Sequence, residues 1–339
     1  MPDISNQSRT ALVLGATGGI GGAIARALGQ HGWTVRAMVR NPDHAKARWA
    51  STDRVPHFVV GDAMIPDDVI QAATKGDAVH AIIHAVNPPG YRNWDKVVLP
   101  MIHNTIAAAR AANGARVVLP GTVYNYNPAT TSIITETTPQ NAITRKGQIR
   151  IALEQRLADA APDVPSLILR AGDFFGPGAR ASWFGQGMIT AGKPVRKVTS
   201  MAPGVPHAYA YLPDLAETFA QLLDISDRLQ PFERLQFDGT WDADGRMMLD
   251  AIRRVIGQDV PKKAFPWWLM RILAPFGGFP KEAIEIEPVW RHPMRLDNKR
   301  LITLLDEEPR TPIDAAIKRT LIDMGCLPKP PETSVPVVA

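Results

Sequence analysis

The chain has 339 residues, 45% hydrophobic and 21% charged, the balance of a globular protein long enough for one large α/β domain and a smaller second unit. Its formal charge of +5 favours anionic ligands, but Lys and Arg are dispersed and pairs such as Lys262 and Lys263 read as solvated helix ends, so no nucleic-acid partner is expected. No apolar run approaches the ~18 residues of a membrane span, Met1–Arg9 lacks an apolar signal stretch, and the single cysteine, Cys326, cannot form an internal disulfide; a cytoplasmic protein with no membrane partner and no bound metal is the expectation.

The first element is a buried strand, Ala11-Leu12-Val13-Leu14, running into Gly15-Ala16-Thr17-Gly18-Gly19-Ile20-Gly21-Gly22 and then a helix from Ile20 to Leu28. In this order Gly15 turns the chain out of the strand, Gly18 lets backbone approach a pyrophosphate, and Gly21 lets the helix pack against the sheet. The helix N-terminus adds N–H groups and the positive end of its dipole. Gly15, Thr17, Gly18, Gly19, Ile20 and Gly21 are therefore candidate dinucleotide-binding residues, a tight turn without a ligand being the alternative.

Strands are expected at Thr34–Val39, Pro56–Val60, Ala78–Ala85, Arg116–Leu119 and Ser166–Leu169. Helices alternate with them near His44–Ala50, Pro66–Thr74, Trp94–Ala112 and Thr144–Ala161. Short β-branched runs that are apolar on both faces suit a buried parallel sheet, so the expected fold is a doubly wound α/β Rossmann sheet with ligand across its strand ends. This domain is placed at residues 10–170. Residues 171–327 follow as a smaller, mainly helical substrate-binding region interleaved with the sheet, and 328–339 as a disordered, Pro-rich tail. Within the second region Gly172–Gly178 reads as loop, with helices at Pro213–Leu223, Met247–Ile256, Pro266–Leu273 and Pro312–Met324. The apolar stretch Phe265–Met270 is read as core or pocket lid, a membrane-surface helix being the alternative.

Strand ends locate further cofactor contacts. An NAD-binding site places a carboxylate about 20 residues beyond the glycine turn, bonded to the ribose. Arg40 stands there instead, close to Arg36 and Asn41, and a guanidinium suits the 2′-phosphate of NADP(H). Asp43 keeps NAD in play. Asp62 and Ala63 follow the third strand and are candidates for the adenine edge; Ala85, Val86 and Asn87 follow the fourth, as small residues along which a cofactor can lie.

These landmarks resemble the short-chain dehydrogenase/reductase superfamily in its extended or atypical epimerase/dehydratase branch. The likeness spans Thr10 to Leu223 and includes Val118-Leu119-Pro120-Gly121-Thr122-Val123-Tyr124, Leu169-Arg170-Ala171-Gly172-Asp173-Phe174-Phe175-Gly176-Pro177-Gly178 and Tyr211-Leu212-Pro213-Asp214-Leu215-Ala216. The resemblance implies a catalytic Tyr four residues before a Lys and a Glu four residues beyond it. Aligned on Glu154, those positions hold Lys146 and Arg150, and Pro120 replaces the usual Ser, leaving Thr122 as the nearest hydroxyl. Lys146, Arg150 and Glu154 are instead similar to the NmrA-like and isoflavone-reductase-like enzymes, in which the Lys handles the proton and the cofactor is NADPH. A partly desolvated lysine one helical turn from a fixed arginine releases its proton more readily, which suits acid–base work near neutrality. The alternative is an exposed helix face with an i,i+4 ion pair.

The expected activity is thus NADP(H)-dependent oxidoreduction of a small, apolar carbonyl or enone. Lys146, Arg150, Thr122 and Tyr124 are the catalytic candidates, Lys146 also touching cofactor; Tyr124, Asp173, Phe174, Phe175, Trp183 and His207 are the substrate candidates, joined by the Trp267-Trp268 helix. A non-catalytic dinucleotide sensor and an NAD-dependent sugar-nucleotide epimerase or dehydratase are the other readings. The resemblance also implies a homodimer through the helices at Trp94–Ala112 and Thr144–Ala161.

Overall fold

The computed structural model describes residues 9–50, 54–88 and 93–329. The first part of the chain runs β1 (Thr10–Leu14), α1 (Gly19–Gln30), β2 (Thr34–Val39), α2 (Pro42–Trp49), β3 (His57–Val60), α3 (Pro66–Thr74) and β4 (Val79–His84). It continues through α4 (Trp94–Ala111), β5 (Arg116–Gly121), a short β6 (Ile133–Ile134), α5 (Arg145–Ala160) and β7 (Ser166–Arg170). Then come β8 (Asp173–Phe175), β9 (Val198–Ser200), β10 (His207–Tyr211), α6 (Leu212–Asp224), β11 (Phe232–Gln236) and β12 (Thr240–Asp242). The chain ends in α7 (Met247–Ile256), β13 (Lys262–Ala264), α8 (Trp267–Leu273), α9 (Gly278–Arg291), β14 (Arg295–Leu296), α10 (Lys299–Leu305) and α11 (Ile313–Asp323).

Seven strands form one parallel sheet in the order β11-β7-β5-β4-β1-β2-β3. The order reverses between β1 and β4, where Leu14 is level with His84, and that crevice is where doubly wound sheets bind ligands. Alternation along β1 fills both faces. Ala11 and Val13 pack with Ile24, Leu28, Leu215 and Phe219 on the α1/α6 side. Leu12 and Leu14 pack with Ile82, Ile102, Leu153 and Leu157 on the α3/α4/α5 side. A third core lies in the second half of the chain and centres on Trp183, whose ring meets Phe265, Trp267, Phe279 and Trp290 at 5.8–6.1 Å.

The strands and helices expected from the sequence are present, with ends shifted by one to a few residues. The expected Gly172–Gly178 loop contains β8, which pairs with β10 beside β12 in a three-stranded sheet. Strand β11 and helix α9 are among the elements that the sequence did not signal. Strand β11 reads as polar because it carries Glu233 and Arg234, yet Glu233 is buried and paired with Arg300 at 3.2 Å, a solution open to a strand at the sheet edge. Helix α9 opens on Gly278 and contains Pro280 and Pro288, both breaker signals, but its apolar stripe of Ala283, Ile286, Val289 and Trp290 holds it to the third core and its neighbour. The expected tail lies outside the described residues beyond position 329.

Candidate functional site

The glycine turn sits at the reversal of strand order. Gly15 has φ +94°, and a Cβ there would lie 2.5 Å from the Ala85 carbonyl oxygen, so only glycine fits. A Cβ at Gly21 would strike the Gly15 carbonyl, which is how α1 packs close to β1. Gly18 differs. A Cβ there meets a single protein atom within 4 Å, the Gly15 oxygen at 3.2 Å, so the protein itself leaves the space above the turn open. Gly18 caps α1 with no side-chain acceptor and no acid in the first turn; the first helical bond runs from Gly22 N to Gly18 O at 3.0 Å, leaving Gly19, Ile20 and Gly21 N–H without intrahelical acceptors. This cradle fits a diphosphate.

At the end of β2, Arg40 is exposed while Arg36 is buried and donates to the carbonyls of Ala72 (2.7 Å) and Asp77 (3.2 Å). Asn41 accepts from His44 N and caps α2, and the Asp43 side chain, 90% exposed, pairs with Lys46. After β3, Asp62 Oδ1 accepts from Met64 N at 2.9 Å, and the Ala63 carbonyl accepts from Asn104 at 2.9 Å. Both residues are thus part of a local turn held against α4. Beside the β4 end His84 is buried: Thr105 spends its proton on the Met101 carbonyl, so His84 Nδ1 is the donor in their 2.8 Å bond. Burial, reinforced by the Arg150 cation, pushes the His84 pKa down to about 3.

Helix α5 carries the catalytic candidates inward. Thr144 Oγ1 caps it by accepting from Gly147 N at 3.1 Å, and a side chain at Gly147 would collide with the Tyr124 carbonyl, so the first turn lies against the loop after β5. Lys146, Arg150 and Glu154 are 3%, 8% and 3% exposed, which overturns the exposed-face alternative. Lys146 Nζ pairs with Glu282 and, at 2.5 Å, with Glu285, both from α9; its backbone N–H also donates to Glu285 at 2.6 Å. Its closest charges are therefore two carboxylates, where the sequence suggested Arg150. Arg150 lies 4.7 Å above the Trp94 ring and donates to Asn87 Oδ1 at 3.2 Å, towards the β4 end. Glu154 pairs with the fully buried Arg170 at 2.9 Å, whose guanidinium also donates to the Thr122 carbonyl.

Thr122 Oγ1 accepts from Tyr124 N at 3.3 Å and caps the single turn Val123–Asn125, so its hydroxyl has a local role. Tyr126 is buried beneath Arg170, and that burial pushes its phenol pKa up. Tyr124 is half-buried and borders a cavity with Ile143, Thr144, Ile286, Val289 and Glu285, the last bonded to Lys146. The expected substrate residues separate. Phe175 and Trp183 are buried in the third core, where neighbouring rings occupy their faces. Phe174 packs against the α1/α6 core. Asp173 and His207 are joined at 2.7 Å, with His207 stacked on Trp290 at 3.9 Å, and His207 borders a second cavity with Ser200, Tyr209, Asp242 and Lys262. Glu282 and Glu285 were missed in the sequence; their i,i+3 spacing was visible, their partner 136 residues away was not.

Residues 15–159 match the NAD(P)H-binding family. This part of the chain is similar to NAD(P)H-binding domains. Among solved structures, the chain is similar to UDP-glucose 4-epimerase from Bifidobacterium longum in complex with NAD+ and UDP, at 16% identity and TM-score 0.70, over 92% of this chain and 97% of that one. It is also similar to UDP-glucose-4-epimerase from Stenotrophomonas maltophila with bound NAD and formylated UDP-arabinopyranose (16%, TM-score 0.71, 94% and 98%). A third is ADP-L-glycero-D-manno-heptose-6-epimerase from Helicobacter pylori (11%, TM-score 0.68, 96% and 100%). The fold is that of these epimerases, across both halves of the chain. A search of curated protein sequences returned no match.

Proposed function

We propose that this chain is an NADP(H)-dependent oxidoreductase acting on a small, apolar carbonyl or enone. The observation that carries the reading is the burial of Lys146 beside the Tyr124 cavity, with Glu282 and Glu285 as its partners. Gly15, Thr17, Gly18, Gly19, Ile20 and Gly21 would hold the diphosphate, exposed Arg40 would take the 2′-phosphate, and Ala85, Val86 and Asn87 would bind along the cofactor. An NADP(H) held there would supply the hydride for reduction of the substrate carbon. Lys146 gives a proton to the substrate oxygen, and Glu282 and Glu285, each about a quarter exposed (24% and 23%), return one from solvent. Tyr124 orients that oxygen, and Arg150 with Asn87 binds a cofactor hydroxyl. Ile143, Ile286, Pro288 and Val289 give the cavity an apolar side, which supports an apolar substrate.

The test is loss of reduced-nicotinamide absorbance with a panel of ketones, aldehydes and enones. Wild type turns over at least one member, and Lys146→Ala lowers kcat by ~10²–10⁴-fold while binding NADPH as before. No turnover across the panel, or equal turnover in the variant, defeats the reading and favours a dinucleotide sensor. The epimerases that share this fold support a second reading, interconversion of nucleotide sugars with no net change in absorbance. Lys146 in place of the usual Tyr stands against it.

A further inference from the structure

Residues 174–213 and 260–281 contain no acidic residue. Between Asp173 and Asp214 the charged side chains are Arg180, Lys193, Arg196 and Lys197; between Asp259 and Glu282 they are Lys262, Lys263, Arg271 and Lys281. Together these stretches carry eight cations and no carboxylate of their own, so the surface they form is locally basic. The fold lays the two stretches side by side. Strand β13 pairs with β9 (Lys262 with Val198, Lys263 with Thr199), Phe265 N bonds Ser200 O at 2.8 Å, and Trp267 Nε1 bonds Met201 O at 2.6 Å.

Past β13 the chain projects an apolar tip. On α8 and the turn after it Trp268, Ile272, Leu273 and Phe276 are 63%, 59%, 38% and 86% exposed, and Phe279 at the start of α9 is 41% exposed. Of the stretch expected to be core or lid, Trp267 is buried and Trp268 faces outward. Contiguous apolar patches of this kind mark interaction sites. The cations beside it select the partner. A second copy docked face to face would set like charges against like, and Ile272 and Leu273 offer nothing for a base to stack on. An anionic bilayer satisfies both halves, apolar side chains below and phosphates around. Among the described residues no helix is long and apolar enough to cross a membrane.

We propose that the α8 tip seats the protein on an anionic lipid surface. Trp268, Ile272, Phe276 and Phe279 enter the headgroup–acyl boundary, while Arg196, Lys197, Lys262 and Lys263 meet lipid phosphates. The test is co-sedimentation of the full chain with vesicles of phosphatidylcholine alone or mixed with phosphatidylglycerol. Wild type pellets with the mixed vesicles and is released by salt. Trp268→Ser with Phe276→Ser, and separately Lys262→Glu with Lys263→Glu, weaken binding by at least ~10-fold at unchanged melting temperature, because all four side chains are exposed. The proposal is overturned if wild type stays in solution, if either double variant pellets like wild type, or if wild type forms a dimer in buffer that Phe276→Ser dissociates.

Discussion

Glu154→Ala removes the counter-charge of a guanidinium that has no access to water. Arg170 is 0% exposed, and the Glu154 carboxylate accepts from Arg170 Nη2 at 2.9 Å, Asn125 Nδ2 at 2.9 Å and Gln140 Nε2 at 2.5 Å. Burial alone would ease the proton off Arg170, but Glu154 and the nearby Tyr126 more than offset this, and the net shift of its pKa is upward. Without the carboxylate the cation keeps its desolvation cost and loses its partner, a change worth ~3–5 kcal/mol. In urea, with a slope of ~3 kcal/mol per molar, the midpoint should fall by ~1–1.5 M with the slope unchanged. Glu154→Leu combined with Arg170→Met leaves no buried charge and should lose less than ~2 kcal/mol, so with ~3–5 kcal/mol for each single variant the coupling in the double-mutant cycle is at least ~4 kcal/mol. A loss below ~1 kcal/mol for Glu154→Ala, or strict additivity in the cycle, would refute this account. Because Arg170 also holds the Thr122 carbonyl, the same variant should loosen the turn that carries Tyr124.

Gly18→Ala adds a methyl that touches one backbone oxygen, so calorimetry should find the fold destabilised by no more than ~1 kcal/mol and NADPH binding strongly weakened; retained binding would argue that no diphosphate lies on the turn. Arg40→Ser should weaken NADPH by ~10–100-fold and leave NADH nearly unchanged, the worth of one charge-assisted phosphate contact, and equal effects on both would remove Arg40 from the site. His84 resists protonation in the fold until pH falls to about 3, whereas the unfolded chain takes up the proton near 6.5. Its contribution is therefore complete above pH ~6.5 and is lost towards pH ~3 at ~1.4 kcal/mol per unit. His84→Asn keeps a donor for Thr105 and should flatten this part of the stability–pH curve; an unchanged slope would count against the buried neutral ring.

The order of strand, glycine turn and helix was legible because it is local chemistry. Only glycine satisfies φ +94° against the Ala85 carbonyl, and both-face apolar runs belong inside a parallel sheet. Local signals misled where distant residues compensate. Glu233 and Arg234 disguise β11 because the Arg300 that neutralises Glu233 lies 67 residues on. The prolines of α9 disguise a helix that packing holds together. Phe175 and Trp183 have the composition of a substrate pocket, but composition does not distinguish a ring facing a ligand from a ring facing another ring.

The amino-acid sequence alone determined the alternating architecture and the glycine turn between β1 and α1, since each depends on residues within a turn or two of one another. Tertiary structure decided which charges meet. It placed Glu282 and Glu285 on Lys146, Arg170 on Glu154 and Asn87 on Arg150, and it turned Trp267 inward and Trp268 outward. Pairings of that kind depend on how helices and strands far apart in the chain come to rest on one another, which no local spacing encodes.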